Sequence, residues 1–382
     1  MNQRRARRLG NLVQSDIRRM TRECERVGGI NLGQGVCDLP TPPLVREGAI
    51  EAIRARKSTY SYPEGTLELR EAIARKLAEK NGLRADPRTE IVVTVGATGA
   101  FTCAIHALLD PGDGLLVLEP YYGYHVNTAL LAGLELQYLA LASPRFRLEE
   151  HALRAALRPN TRAIVLCTPS NPSGRMFDRG ELAMLARVAI ERDLLVITDE
   201  IYEDIRYDGR EHVSPASIAG LAERTVTILG LSKTFSITGW RLGYAVAPAP
   251  LAEALQLVND LFYICAPTPL QHGVAQGFRA PESFFTELRD DYAVKREKLC
   301  RALERAGLAP VWPEGAYYVL ADITRLGFAT SREAAFALLE RTGVASVPGS
   351  AFFRGPEGDQ CVRFCFAKEH DVLDEACRRL AA

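Results

Sequence analysis

The chain has 382 residues, more than one hydrophobic core ordinarily organises, so two structural units are expected. Its 47 basic and 47 acidic residues cancel, which argues against general binding to nucleic acid or to an anionic membrane surface. Apolar content of 47% and charged content of 25% are those of an ordinary soluble globular protein, and no apolar stretch approaches the roughly 20 residues that span a bilayer.

The chain opens on MNQRRARRLG, a basic stretch without the apolar segment of a secretory signal, and this reads as a solvated arm. Asp16, Glu23 and Glu25 follow too closely for an organellar presequence. The segment NLGQGVCDLPTPP, near residue 40, is expected to join the C-terminal unit and to cross the cleft between units. From residue 90 to 247, short apolar runs alternate with helical patterns. The runs are IVVTV, GLLVLEP, LELQYLAL, AIVLCTPS, LLVITDE, TVTILG and GYAVA; ELAMLARVAIER is the clearest amphipathic helix. Apolar strands separated by helices predict an α/β unit with a mostly parallel, seven-stranded sheet sandwiched by helices. Beyond residue 280 the pattern changes to a long charged helix over 282–306, AYYVLAD, a helix near 331–342, VASVP, CVRFCFA and a final helix. That is a smaller α+β unit. The expected division is 1–44 (arm and part of the small unit), 45–279 (large unit) and 280–382 (small unit).

Nine cysteines are scattered without a CxxC pair, which suggests reduced thiols and a cytoplasmic location. Cys361 and Cys365, four apart in a strand-like run, suit neither a hairpin disulfide nor a zinc knuckle, and no metal site is expected. Cys103, Cys167 and Cys265 lie in apolar runs and read as small core residues.

Only seven of the 47 basic residues are lysines, at 57, 76, 80, 233, 295, 298 and 368. Lys57, Lys76, Lys80, Lys295 and Lys298 lie in charged stretches that read as solvated helix faces, and Lys368 follows a strand-like run just before a helix. Lys233, in GLSKTFSITGWRLG, is set among small and hydroxyl-bearing residues, with Arg241 eight positions later. An amine that attacks a carbonyl must be partly deprotonated, which burial achieves. An arginine fork suits a phosphate. Together they suggest pyridoxal 5′-phosphate.

That cofactor calls for a phosphate cradle, a partner for the pyridine nitrogen and a ring clamp besides the lysine. Gly96, Ala97 and Thr98, opening a helix after IVVTV, offer free N–H groups to the phosphate. Asp199, at the end of LLVITD, is a buried carboxylate suited to the ring nitrogen. Asn171 and Tyr202 are expected at the ring's phenolic oxygen, Tyr122 on the ring face and Ser232 beside the lysine. Arg363, alternating with apolar neighbours in CVRFCF, is suited to a substrate carboxylate. Ligands of such sheets bind at the carboxyl ends of the strands, where five of these segments end.

The series Gly96-Ala97-Thr98, Tyr122, SNPSG, DEIY, SKTFSITGWR and VRFCF resembles the fold-type I, class I/II pyridoxal-phosphate-dependent aminotransferases, in the branch with aspartate-, kynurenine- and methionine-type enzymes. The resemblance runs from about Asn31 to the C-terminus. It implies ping-pong transfer of an amino group from an amino acid to a 2-oxo acid, with Lys233 as Schiff-base lysine and proton shuttle. It also implies that Arg363 binds the α-carboxylate, that Gly35 and Asn171 line the substrate site, and that Tyr60 reaches the phosphate of the neighbouring subunit's cofactor in a homodimer. Three positions depart from the family pattern. Cys37 stands where proline is common. Gly230 stands where many members carry a phosphate-binding serine. Thr98 stands where aspartate-type members can carry a basic residue, which weakens the expectation of a dicarboxylic substrate. His125 and Tyr124 are placed near a substrate side chain.

Two other readings stay open. β-Elimination from a cysteine conjugate, or other Cα chemistry, would use the same lysine, aspartate and arginine. A non-catalytic sensor is disfavoured by the neutral charge and by the lack of room for a DNA-binding module in the roughly 30 residues before the resemblance begins.

Overall fold

The computed structural model describes residues 6–12, 16–35, 37 and 39–382; part of the expected arm, residues 1–5, lies outside them. A two-residue strand, β1 (Ile30–Asn31), precedes the seven strands of the main sheet. These are β2 (Ile91–Val95), β3 (Gly114–Glu119), β4 (Glu135–Ala140), β5 (Thr161–Cys167), β6 (Leu195–Asp199), β7 (Thr225–Gly230) and β8 (Leu242–Val246). Their order is β2-β8-β7-β6-β5-β3-β4. All neighbours are parallel except those of β8, which runs antiparallel to both β2 and β7. With β8 reversed, β2 points the same way as β7. The carboxyl ends of β2, β3, β5, β6 and β7 therefore share one edge.

The strands are apolar throughout because both faces of the sheet are covered. Leu115 and Val117 of β3 pack with Ala100, Phe101, Ala104 and Ile105 of the helix Gly96–Leu108. Their alternates Leu116 and Leu118 pack with Leu182, Leu185 and Val188 of the helix Arg179–Glu191 on the other side. The period of two sends successive side chains to opposite cores. The second helix starts where it does because Asp178 and Glu181 form a reciprocal capping box, each side chain accepting from the other's backbone N–H.

A four-stranded antiparallel sheet, in the order β12-β13-β10-β9, lies in the C-terminal part. Its strands are β9 (Ala309–Val311), β10 (Tyr318–Asp322), β12 (Val347–Pro348) and β13 (Cys361–Cys365); β11 (Val344–Ala345) pairs instead with β1. Met20, Cys24 and Leu32 of the N-terminal segment are buried in one core with Val319, Phe364 and Leu373. Among the described residues, no helix is long and apolar enough to cross a membrane.

Two of the lysines read as solvated are not. Lys76 is buried and forms an ion pair with Glu203, whose other oxygen accepts from Asn81 Nδ2 at 2.6 Å. Lys295 is also buried and donates to Asp291 at 2.6 Å. A charged sequence window does not reveal that one residue in it faces inward, where a partner offsets the lost hydration. All nine cysteines are free. Cys103 is a core residue as expected, whereas Cys167 and Cys265 remain partly exposed.

Candidate active site

At the shared carboxyl edge lies a cavity of about 410 Å³, lined among others by Ala97, Thr98, Tyr122, Asp199, Lys233 and Arg241. Ser232 is also in its wall. Residues 96–98 are the first turn of a helix rather than a loop before one, and no side chain caps that turn. Its N–H groups have no intrahelical partners and are free for an anion. Gly96 adopts φ +70°, and a Cβ there would stand 2.6 Å from the Arg241 guanidinium. Only glycine allows that arginine to lie against the start of the helix. Arg241 is itself left-handed (φ +56°) and donates through Nη1 to the Thr238 carbonyl at 3.0 Å.

Asp199, at the end of β6, is buried with its Oδ2 3.0 Å from His125 Nε2. His125 packs at a tilt against Phe101 and edge-on to Tyr122. His125 pairs with that carboxylate and also lines the cavity, a pairing the sequence reading did not foresee. The signal was present only as a histidine three residues after Tyr122. Tyr124, by contrast, is partly exposed, stacks on Tyr122 and lines the cavity.

Lys233 is half-buried just beyond β7, and burial lowers its amine to about 8, against opposing effects of Cys365 and Cys37. Its Nζ donates to the Gly35 carbonyl at 3.3 Å. The loop carrying it is tied from below, as Thr234 donates to the buried Asp204 at 2.7 Å. Gly230 lines the cavity, and a Cβ there would lie 2.9 Å from Ile201 Cγ2. The isoleucine takes the space of a side chain at that position.

Beyond Lys233, on the side of Gly35, a second cluster contains the other expected residues. Arg363 on β13 is fully buried; it donates to Asn171 Oδ1 at 2.8 Å and to the Gly33 carbonyl at 2.6 Å. The guanidinium is stacked between Tyr318 and Phe352, and its Nε has no hydrogen-bond partner. An orphaned buried donor of this kind marks a place for an anion. Tyr202 donates to Tyr318 at 3.2 Å, and Tyr317 donates to the Gly35 carbonyl at 3.2 Å. Tyr317 and Tyr318 were missed by sequence reading. AYYVLAD showed them only as strand aromatics. Cys37 packs on Ser236 and Tyr292, at 3.2 and 3.3 Å. Tyr60 alone is not brought to either cluster; it is 78% exposed.

The family model for class I and II aminotransferases matches residues 27–380. The chain is 36% identical to a probable N-succinyldiaminopimelate aminotransferase of Mycobacterium tuberculosis, over 93% of this chain and 92% of the relative. It is 37% identical to an aspartate aminotransferase of Pyrococcus abyssi, over 92% and 90%. Its structure is similar to that of N-succinyldiaminopimelate aminotransferase from M. tuberculosis, with a TM-score of 0.96 and 35% identity over 99% of both chains.

Proposed function

Because the chain belongs to the class I and II aminotransferases, enzymes that generally use pyridoxal phosphate, we propose that it carries this cofactor on Lys233 and works by a two-step, ping-pong exchange between an amino acid and a 2-oxo acid. The observation that supports this most is the gathering of Lys233, Asp199 and Arg241 around one cavity. The residues present fit the group. Ala97, Thr98, Ser232 and Arg241 would hold its phosphate at the uncapped helix start. Asp199 would hold its ring nitrogen, Tyr122 its face, and Asn171 and Tyr202 its phenolic oxygen. When bound, the group supplies a ring that takes up the electron pair released at the substrate Cα.

The protein's own residues do the rest. Lys233, with an amine lowered to about 8 by burial, has enough neutral form to take the Cα proton and hold it for return. The Gly35 carbonyl orients that amine. Arg363 receives the α-carboxylate in its fork, and the stacked Tyr318 and Phe352 rings keep water from it. In this reading residues 45–279 carry the cofactor, while 280–382 and the N-terminal segment bring Arg363 and Gly35.

A homodimer belongs to the same proposal. Leu257, Leu261, Phe262 and Ile264 expose 47–79% of their surface along and just after the helix Ala249–Tyr263. The adjoining segment is pinned to that helix, with Asn259 donating to the Pro63 carbonyl at 2.7 Å. Tyr60 is therefore presented from an apolar face suited to a second copy, where it would reach the partner's phosphate. Nine free thiols support a reducing, cytoplasmic location.

Spectroscopy tests the core of this reading. The purified protein with pyridoxal phosphate should absorb in the visible-edge band of a lysine-bound cofactor and lose that band with a suitable amino donor. A Lys233→Ala protein that still consumed amino donors would refute it.

A further inference from the structure

One buried carboxylate at the rim of the main sheet has no part in the proposed chemistry. Glu119 is the last residue of β3, on the edge where β6 and β7 deliver Asp199 and Lys233, and it does not line the cavity. Burial raises its pKa from the ordinary value. A hydrogen bond from the Arg354 backbone N–H pulls it down again, and the nearby Glu357 pushes it up. A neutral amide or hydroxyl would accept that hydrogen bond without the cost of burying a charge.

What Glu119 holds comes from the C-terminal part of the chain. Residues 349–360 are tied down there. Ser350 N–H donates to Ser331 Oγ at 3.2 Å, and Ser331 donates from its own N–H and hydroxyl to Asp359 at 3.0 and 3.1 Å. The segment then meets the main sheet at the end of β3. Glu119 Oε1 accepts from the Arg354 N–H, and the Tyr121 N–H donates to the Phe352 carbonyl at 2.9 Å. The Arg354 guanidinium lies 5.3 Å from the centre of the Tyr138 ring, which packs on Tyr121 at 5.7 Å. Phe352, pinned between these contacts, is fully buried, and its ring centre is 4.6 Å from the Arg363 guanidinium.

We infer that Glu119 is a positioning residue: from the main sheet it fixes Phe352 over Arg363, and so sets the affinity of the site for a substrate's α-carboxylate. The inference rests on the reading of Arg363 given above. A ring held in place keeps water from the guanidinium, and in that drier setting the pairing with a carboxylate is stronger. The ionised form of Glu119 is the better acceptor for the Arg354 N–H, so protonation loosens the segment. The groups facing Glu119 are Tyr121 on the chain that follows β3, Tyr138 from β4, and Arg354 and Glu357 from the segment itself. Glu357 is the one other carboxyl among them.

The test uses the cofactor-loaded protein with the best donor from a panel of L-amino acids, and with the corresponding amine that lacks the α-carboxyl group. Glu119→Ala should raise the half-saturating amino acid concentration about 10- to 100-fold, the effect of losing a charge-assisted hydrogen bond. The limiting rate of loss of the cofactor band should stay within about threefold, and half-saturation by the amine should not change. Glu119→Gln keeps a carbonyl acceptor in the same place and should recover most of the loss at mildly alkaline pH. As pH falls, wild-type affinity for the amino acid should weaken as Glu119 takes up its proton. The Gln variant should lack that weakening, and Glu357→Gln should keep it, moved to lower pH. Hydrogen exchange reads the contact itself: the peptide containing Arg354 should exchange faster in Glu119→Ala than in the wild type, with or without cofactor. Unchanged exchange would overturn the inference, as would equal losses for amino acid and amine, or one pH profile shared by the wild type and Glu119→Gln. Failure of the wild type to react with any amino acid would instead remove the reading beneath it.

Discussion

His125 and Asp199 meet at 3.0 Å beneath the cavity, both almost fully removed from water. A carboxylate in that position is costly without a partner, and the imidazole beside it offsets part of that cost and fixes its direction. His125 thus positions Asp199. Asp199→Ala should lower kcat by about 10²–10³-fold, the size found when one pre-organised electrostatic group is removed. His125→Asn should cost less, roughly 10- to 100-fold, because the carboxylate survives without one charge-assisted hydrogen bond. Single-turnover kinetics with the loaded protein checks both; equal losses would contradict the division of roles.

Lys233 provides a pH signature. Burial lowers its amine from 10.5 to about 8, favouring the neutral form. At pH 7 this raises the neutral fraction from roughly 1 in 3,000 to roughly 1 in 10. The neutral amine is the nucleophile, so capture of pyridoxal phosphate by the cofactor-free protein should accelerate as pH rises and level off above about 8. A rate still climbing tenfold per pH unit past 9 would show that the amine is not perturbed.

Gly35 is required by space. A Cβ there would stand 1.7 Å from the Tyr318 hydroxyl, whose ring stacks on Arg363. Gly35→Ala should destabilise the fold by about 1–3 kcal/mol through overpacking and also weaken substrate binding. Tyr318→Phe in the same chain removes the clashing oxygen and should recover part of the loss. A double-mutant cycle followed by thermal denaturation measures that coupling, and strict additivity would deny the contact.

Lys76 and Glu203 form a buried pair far apart in sequence. Lys76→Met leaves an uncompensated carboxylate and should cost about 3–5 kcal/mol. Lys76→Met with Glu203→Leu should cost less than the single change. Urea denaturation at constant m-value discriminates the two cases. Greater loss in the double variant would mean that the pair stabilises more than its own desolvation costs.

Leu261, 79% exposed, is a direct probe of the proposed dimer. Leu261→Asp should shift the protein toward monomer in sedimentation velocity and reduce cofactor retention, because Tyr60 would no longer reach a partner's phosphate. An unchanged sedimentation coefficient at low micromolar concentration would place the interface elsewhere.

The repeating apolar runs determined the sheet. Strands buried on both faces must be continuously apolar, and short runs set between helices leave few arrangements besides a mostly parallel one. Lys233 stood out as a lysine in an uncharged window, Asp199 as an acid ending an apolar run, and Arg241 by its spacing from Lys233. Pairings across long stretches of chain did not stand out. His125 meets Asp199 over 74 positions, Lys76 meets Glu203 over 127, and Arg18 reaches a cavity built mainly by residues 97–241. Local sequence records which residue types are unusual where they stand. Only packing decides which distant groups share a low-dielectric space, and so whether a histidine meets a carboxylate or a lysine faces solvent.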